Sequence, residues 1–258
     1  MKPFRTFSAL FGALVLASCS FEKNAVQDIT GPIAASRIKF FHFGVNAPGV
    51  NFYAGNAKVT AITSATGVES TTGVVYGGVG GGGFYSAIDP GSYVLTGKIA
   101  ATVDKDLAIS PVTATIADGK AYSYYMSGFY NTATKTVDGF VIEDAIPPAI
   151  DYTQAHVRFV NAISNSNPMT LFAKNTTSLT EVAVGGLVAY KAGGAFTALP
   201  EGVYDLFARE SGATANKITR TAVSFVAGRV YTIGARGDIT VVSTTLANRP
   251  ILDNTANR

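Results

Sequence analysis

Apolar and polar residues alternate in short runs along this chain, and turn residues separate the runs. Ile38 and Phe40 alternate with Arg37 and Lys39, and Val157 and Phe159 alternate with His156 and Arg158. A period of two is the pattern of a strand with one buried face. Phe52-Tyr53-Ala54 and Leu171-Phe172-Ala173 are expected to form the next strand in each case, after turn signals at Pro48-Gly49 and Asn167-Pro168. Pro90-Gly91 and Glu201-Gly202 mark tight turns, each followed by an alternating pair, Tyr93 and Leu95 or Tyr204 and Leu206. Asp118-Gly119 and Ala227-Gly228 are turns entering strands at Tyr122 and Tyr231. Beyond the N-terminal leader no segment sustains the i, i+3, i+4, i+7 spacing of an amphipathic helix. Many short strands with regular turns predict an all-β chain built as sandwiches or barrels.

These blocks come in pairs, in the same order. Arg37-Ile38-Lys39-Phe40-Phe41-His42 matches His156-Val157-Arg158-Phe159-Val160-Asn161, and Asp118-Gly119-Lys120-Ala121-Tyr122 matches Ala227-Gly228-Arg229-Val230-Tyr231. Ile88 to Leu95 likewise matches Leu199 to Leu206. The offset shrinks along the chain, so the second copy has shorter loops. An internal repeat of this kind sets the architecture. We expect one antiparallel β-sandwich over residues 36–146, a Pro-rich linker over 147–154, a second sandwich over 155–247 and a polar tail over 248–258. Pro147-Pro148 lacks backbone donors and favours extended structure, which makes the linker stiff. Within the tail, Pro250-Ile251-Leu252 is apolar enough to dock.

The first residues carry a different pattern. Lys2 and Arg5 precede an apolar stretch from Phe7 to Ala17, which is too short for a permanent span and is followed by Leu16-Ala17-Ser18-Cys19. This order resembles the signal and lipobox of bacterial lipoproteins. By that resemblance, residues 1–18 are a signal peptide and Cys19 takes a diacylglyceryl group and a further acyl chain such as palmitate. Residues 19–35 then form a polar tether. One acyl chain holds a protein to a bilayer only marginally, whereas two or three hold it stably. Ser20, where inner-membrane lipoproteins often have Asp, implies sorting to the outer membrane of the bacterial envelope. The chain has a single cysteine. Lipidation consumes it and leaves none for a disulfide, so the cores must be apolar even in an oxidising compartment.

Composition narrows the partners. Formal net charge is +3 and falls to +1 once Lys2 and Arg5 are removed. A near-neutral chain has no electrostatic footprint for nucleic acid. Charged residues make up 14%, well under the roughly 25% typical of soluble domains, which fits an exported β-rich protein.

Candidate chemistry is sparse. The chain has two histidines, His42 and His156, and nothing spaced like a zinc site, so no metal or cofactor is expected. No Gly-x-Ser-x-Gly elbow is present. The paired acids Glu143-Asp144 and Asp104/Asp106 fall in an expected linker or turn, where solvation is their expected role. The run Gly77 to Gly83 contains a formal Gly-x-Gly-x-x-Gly but is followed by strand-like Phe84-Tyr85-Ser86-Ala87 rather than a helix. It reads as a mobile loop, with Gly185-Gly186 and Gly193-Gly194 as its counterpart in an adaptable loop site. Tyr122, Tyr124, Tyr125, Phe129 and Tyr130 cluster, and alternation divides them between core and surface. His42, Tyr124 and Tyr130 are the candidates for a binding surface.

The paired openings, the Pro-Gly turn, the late Gly-Lys/Arg-x-Tyr strand and the Pro-Pro junction together resemble tandem DUF4397-type domains of bacterial exported proteins. Members often open on a strand ending in a His-Ala-Ser-Pro-like turn. Here His42-Phe43-Gly44-Val45 and Asn161-Ala162-Ile163-Ser164 both depart from it. The resemblance implies Ig-like sandwiches and no established activity. The expected function is a non-enzymatic, lipid-anchored envelope module for binding, adhesion or spacing, with an envelope polymer or protein as partner. The alternative is an envelope hydrolase using His42 with nearby carboxylates.

Overall fold

The computed structural model describes residues 36–257. The expected signal peptide, Cys19 and the tether lie outside the described residues. The first half contains β1 (Arg37–Val45), β2 (Val50–Ala54), β3 (Ala57–Lys58), β4 (Ser86–Ala87), β5 (Gly91–Ile99), β6 (Val112–Ile116), β7 (Ala121–Asn131) and β8 (Thr136–Glu143). The second half contains β9 (Gln154–Asn161), β10 (Met169–Asn175), β11 (Glu181–Val188), β12 (Ala192–Gly193), β13 (Thr197–Pro200), β14 (Gly202–Glu210), β15 (Ile218–Phe225), β16 (Val230–Arg236) and β17 (Ile251–Ala256). No α-helix occurs among the described residues.

The strands form four sheets. In the first half the orders are β4-β1-β7-β8 and β3-β2-β5-β6. The second half repeats them as β12-β9-β16-β17, with β13 also on β9, and β11-β10-β14-β15. Most pairs are antiparallel, but β1 runs parallel to β7 and β9 parallel to β16. The all-antiparallel expectation is therefore corrected at one pair in each half. Parallel neighbours need a long crossover. Here the chain supplies it by leaving β1, building the opposite sheet and returning to β7 at the same end. Alternation along a single strand carries no sign of its neighbour's direction.

Alternating residues fill the two facing cores. Ile38, Phe40, Phe52, Leu95, Tyr122, Tyr124 and Met126 pack together in the first half. Val157, Phe159, Leu171, Leu206, Tyr231 and Ile233 do so in the second. The turns are tied down in the same way in both halves. Tyr93 Oη donates to the Asp89 carbonyl at 3.0 Å and Tyr204 Oη to the Pro200 carbonyl at 2.8 Å. Tyr122 Oη accepts the Ala117 N–H, and Tyr231 Oη accepts the Val226 N–H, both at 3.1 Å.

The opposite faces of β1, β7 and β8 are buried too. Phe41, Phe43, Tyr125 and Phe140 form a third cluster with Val160 and Ala162 from the second half, and Tyr190 packs against it. Tyr125 stacks on Phe41 at 4.5 Å and on Phe140 at 5.0 Å between ring centroids. A Cβ at Gly234 would sit 3.0 Å from the Phe43 ring, so this glycine lets the ring approach β16 closely. The four sheets are thus stacked, and the two inner ones meet face to face along a seam. The described residues form one compact unit.

Two segments differ from the sequence reading. Residues 251–256, expected in a polar tail, form β17, and Leu252 is buried in the second core. Its apolar side chain and its pairing to β16 outweigh the polar composition around it. Asp144, expected in solvent, is buried and ion-paired with Arg158. Glu143 beside it is exposed and pairs with Lys120 at 2.9 Å.

Candidate functional site

The residues nominated as a binding surface are not brought together on one. His42 is fully buried, with Nε2 2.9 Å from the Pro48 carbonyl and Nδ1 unpartnered among the described residues. Burial holds its imidazole down at about 4, against the opposing effect of the Pro48 hydrogen bond. Among the described residues no carboxylate hydrogen-bonds to it. Tyr124 is also fully buried, its hydroxyl donating to Ser110, and it packs on Phe40 and Phe52. Tyr130 is half-buried against the same core. His42 and Tyr124 follow the inward alternation of β1 and β7, which corrects their assignment to a surface.

His42 makes a pH prediction. Its folded pKa lies below its ordinary 6.5, so the unfolded chain takes the proton first as pH falls. Its contribution is intact above about 6.5 and is lost on acidification toward 4. His42→Asn, which copies Asn161 of the second half, should flatten this part of the curve. Urea unfolding of both proteins should show the wild type losing about 3 kcal/mol more than the variant between pH 7 and pH 4. Parallel curves would show that His42 is not the source.

The glycine run is pinned at its start. His42 N donates to the Gly78 carbonyl at 2.9 Å, Gly77 N donates to the His42 carbonyl at 2.7 Å, and Val79 bridges to Phe41. Gly81, Gly82 and Gly83 then have φ of 60°, 68° and 85°. Three consecutive positive values admit essentially only glycine. The turn ends on Phe84, which is 80% exposed. Phe84, Gly82 and Gly83 line one side of an open groove of about 510 Å³, and Asn254, Thr255 and Ala256 of β17 line the other. β17 is also the end strand of its sheet, so an edge lies beside an exposed aromatic ring. The expected counterpart is built differently. Gly185 and Gly194 let two backbones touch, since a Cβ at either would lie under 3 Å from the other segment. Neither Phe84 nor the β17 edge was among the sequence candidates. The signal was present as a large aromatic directly after a run only glycine can make.

The polar side chains that gather most densely do so at one end of the seam. Arg158 donates from Nε to Thr232 Oγ1 at 2.9 Å and from Nη1 to the Glu143 carbonyl at 3.2 Å, and its Nη2 pairs with Asp144. The second oxygen of Asp144 accepts from Tyr85 Oη at 2.6 Å and Ser123 Oγ at 2.7 Å. Burial, with the Asp144 charge adding to it, pushes the Tyr85 phenol far above its usual range. Lys39 lies 4.4 Å over the Tyr85 ring and donates to the Ala256 carbonyl and to Asn257. Alternation puts Lys39 and Arg158 on the strand face opposite Ile38/Phe40 and Val157/Phe159, and the seam buries that face as well. Among the described residues, no group of three or more His, Cys, Asp and Glu side chains is arranged to hold a metal ion.

The profile of one family, described as "Domain of unknown function (DUF4397)", matches residues 36–165, half of the chain. The chain belongs to the DUF4397 family. The matched DUF4397 segment takes in all eight strands of the first half and runs on through β9, so it includes both Lys39 and Arg158. No curated protein matches the chain. Among solved structures, one described as "a putative cell adhesion protein from Bacteroides ovatus ATCC 8483" is similar at 12% identity. The alignment covers 88% of this chain and 97% of that one, with a TM-score of 0.23.

Proposed function

We propose that this DUF4397 protein is a non-enzymatic envelope lipoprotein, held to the outer membrane by lipid on Cys19, that binds an envelope polymer or protein. In this reading the two halves are tandem Ig-like β-sandwiches, and the paired tyrosine-tied turns support it. The observation that carries the functional reading is the position of the exposed groups. The one nominated base, His42, is sealed in the core, while Phe84 is exposed beside an open groove that Asn254, Thr255 and Ala256 of β17 also line. A compact body with an exposed aromatic ring beside an open groove is suited to holding a partner.

The test has two arms. Replacing Cys19 with Ala should move the protein from the membrane fraction to the soluble fraction, and continued membrane fractionation would overturn the anchor. The soluble 34–258 chain should bind isolated envelope material, and Phe84→Ala should weaken binding about tenfold, a loss of about 1.4 kcal/mol. Equal binding by the variant would move the site elsewhere. Reproducible turnover of an envelope polymer would overturn the non-enzymatic reading.

A further inference from the structure

At the polar end of the seam the two halves reach across to each other by the same geometry. Arg158 of β9 extends to the carbonyl of Glu143, the last residue of β8, and to the side chain of Asp144 just after it. Lys39 of β1 extends to the carbonyl of Ala256, the last residue of β17, and to the side chain of Asn257 just after it. Lys39 and Arg158 hold matching places in β1 and β9. Asp144 and Asn257 match as well, their N–H groups donating to Ala121 and Val230 at 2.6 and 2.7 Å.

The chemistry of the two arms differs. Arg158 faces a carboxylate, whereas Lys39 faces a neutral carboxamide, with Nζ 3.4 Å from Asn257 Oδ1. Lys39 is 2% exposed and Asn257 8%. The nearby carboxylate of Asp144 is already engaged by Arg158, Tyr85 and Ser123. Burial holds the Lys39 amine down at about 8; Asp144 opposes this, and Arg158 and Arg37 reinforce it. A buried ammonium without a hydrogen-bonded counter-ion is costly. An aspartate at 257 would have reproduced the arrangement at 144. An amine facing a carboxamide is instead the pair that can condense.

We propose that Lys39 and Asn257 are joined by an isopeptide bond that ties the first strand to the segment after the last. The free amine of Lys39 adds to Cγ of Asn257. The Nζ–Cγ bond forms, the Cγ–Nδ2 bond breaks, and Nδ2 leaves as ammonia with one proton that Nζ gives up. No oxidant or cofactor is required. Thr232 Oγ1 lies 2.6 Å from Nδ2 and accepts an N–H from Arg158 Nε at 2.9 Å. In the unreacted pair Nδ2 donates to this oxygen; as the Cγ–Nδ2 bond breaks, the nitrogen gains a lone pair and the adjacent hydroxyl can turn to protonate it, its own proton being replaced by the one shed from Nζ. The product is a neutral secondary amide, which removes the buried charge.

Peptide mapping of the purified full chain by mass spectrometry tests this. The expected product is one branched peptide holding both Lys39 and Asn257, lighter than the two linear peptides together by one ammonia. Lys39→Arg keeps length and charge but presents a guanidinium that is not acylated, so the peptides should then separate with Asn257 intact. Recovery of Lys39 and Asn257 on two linear peptides from the folded wild type overturns the proposal. An ammonia loss at Asn257 that persists in Lys39→Arg also overturns it, because that marks cyclisation onto the backbone.

Discussion

Replacing Asp144 with alanine should lower the unfolding free energy by about 3–5 kcal/mol, the usual cost of breaking a buried ion pair from one side. The variant leaves the Arg158 guanidinium, 2% exposed, without its carboxylate. It also strips Tyr85 and Ser123 of their acceptor. For a chain of this size each kcal/mol moves Tm by roughly 2–4 °C, so a fall of roughly 10 °C is expected. Asp144→Leu combined with Arg158→Met should recover the ion-pair part of it, because the desolvated charge is then absent from both sides, and leave only the cost of the Tyr85 and Ser123 hydroxyls without their acceptor. Glu143→Ala, one residue away, removes only an exposed pair with Lys120 and should change stability by no more than about 0.5 kcal/mol. Denaturant titration of the four proteins gives the comparison. Equal losses at 143 and 144 would show that the seam pair contributes no more than a surface pair.

The first half produced alone, as residues 36–146, should fail to remain monomeric. Removing the second half uncovers Phe41, Phe43, Tyr125 and Phe140 on one sheet face. Each aromatic side chain can contribute about 150–250 Å², so the bared patch would match or exceed the few hundred Å² that soluble monomers tolerate. Size-exclusion chromatography should show association or loss of the fragment, while the 34–258 chain elutes as a single species. Calorimetry of the 34–258 chain should show one unfolding transition, since breaking the seam costs each half its outer packing. Two separated transitions, with a monomeric fragment, would mean that the halves are independent.

Much of this arrangement was legible in the residue pattern. The alternation at Ile38/Phe40 and Val157/Phe159 marks the core-facing sides of β1 and β9, and the paired blocks fall on strands that hold corresponding places in the sheets, whose orders no local pattern gives. The seam was not read, although its trace was present. β1 carries aromatic residues at both parities, Phe40 on one face and Phe41 and Phe43 on the other, and β7 does the same with Tyr124 and Tyr125. Large apolar groups on both faces mark a strand covered on both sides. A basic residue among them, as at Lys39 and Arg158, then has only a buried partner to turn to. Leu252 docks, as the apolar Pro250-Ile251-Leu252 allows, but the strand form of the tail was not legible because four of the six β17 residues are polar or small. One inward leucine and a backbone partner are enough for an edge strand, and sequence shows neither the partner nor the edge. The groove beside Phe84 depends on a loop from one half lying next to the last strand of the other, which no local pattern encodes.

Lys39 stands near the start of β1, and Asn257 follows β17, yet their side chains meet. Whatever enters at Arg37 and whatever leaves after Asn257 therefore do so at the same corner of the body. Tension applied between those two points crosses that corner and does not run through the four-sheet stack. The body adds almost no reach to a strand of material held at both ends.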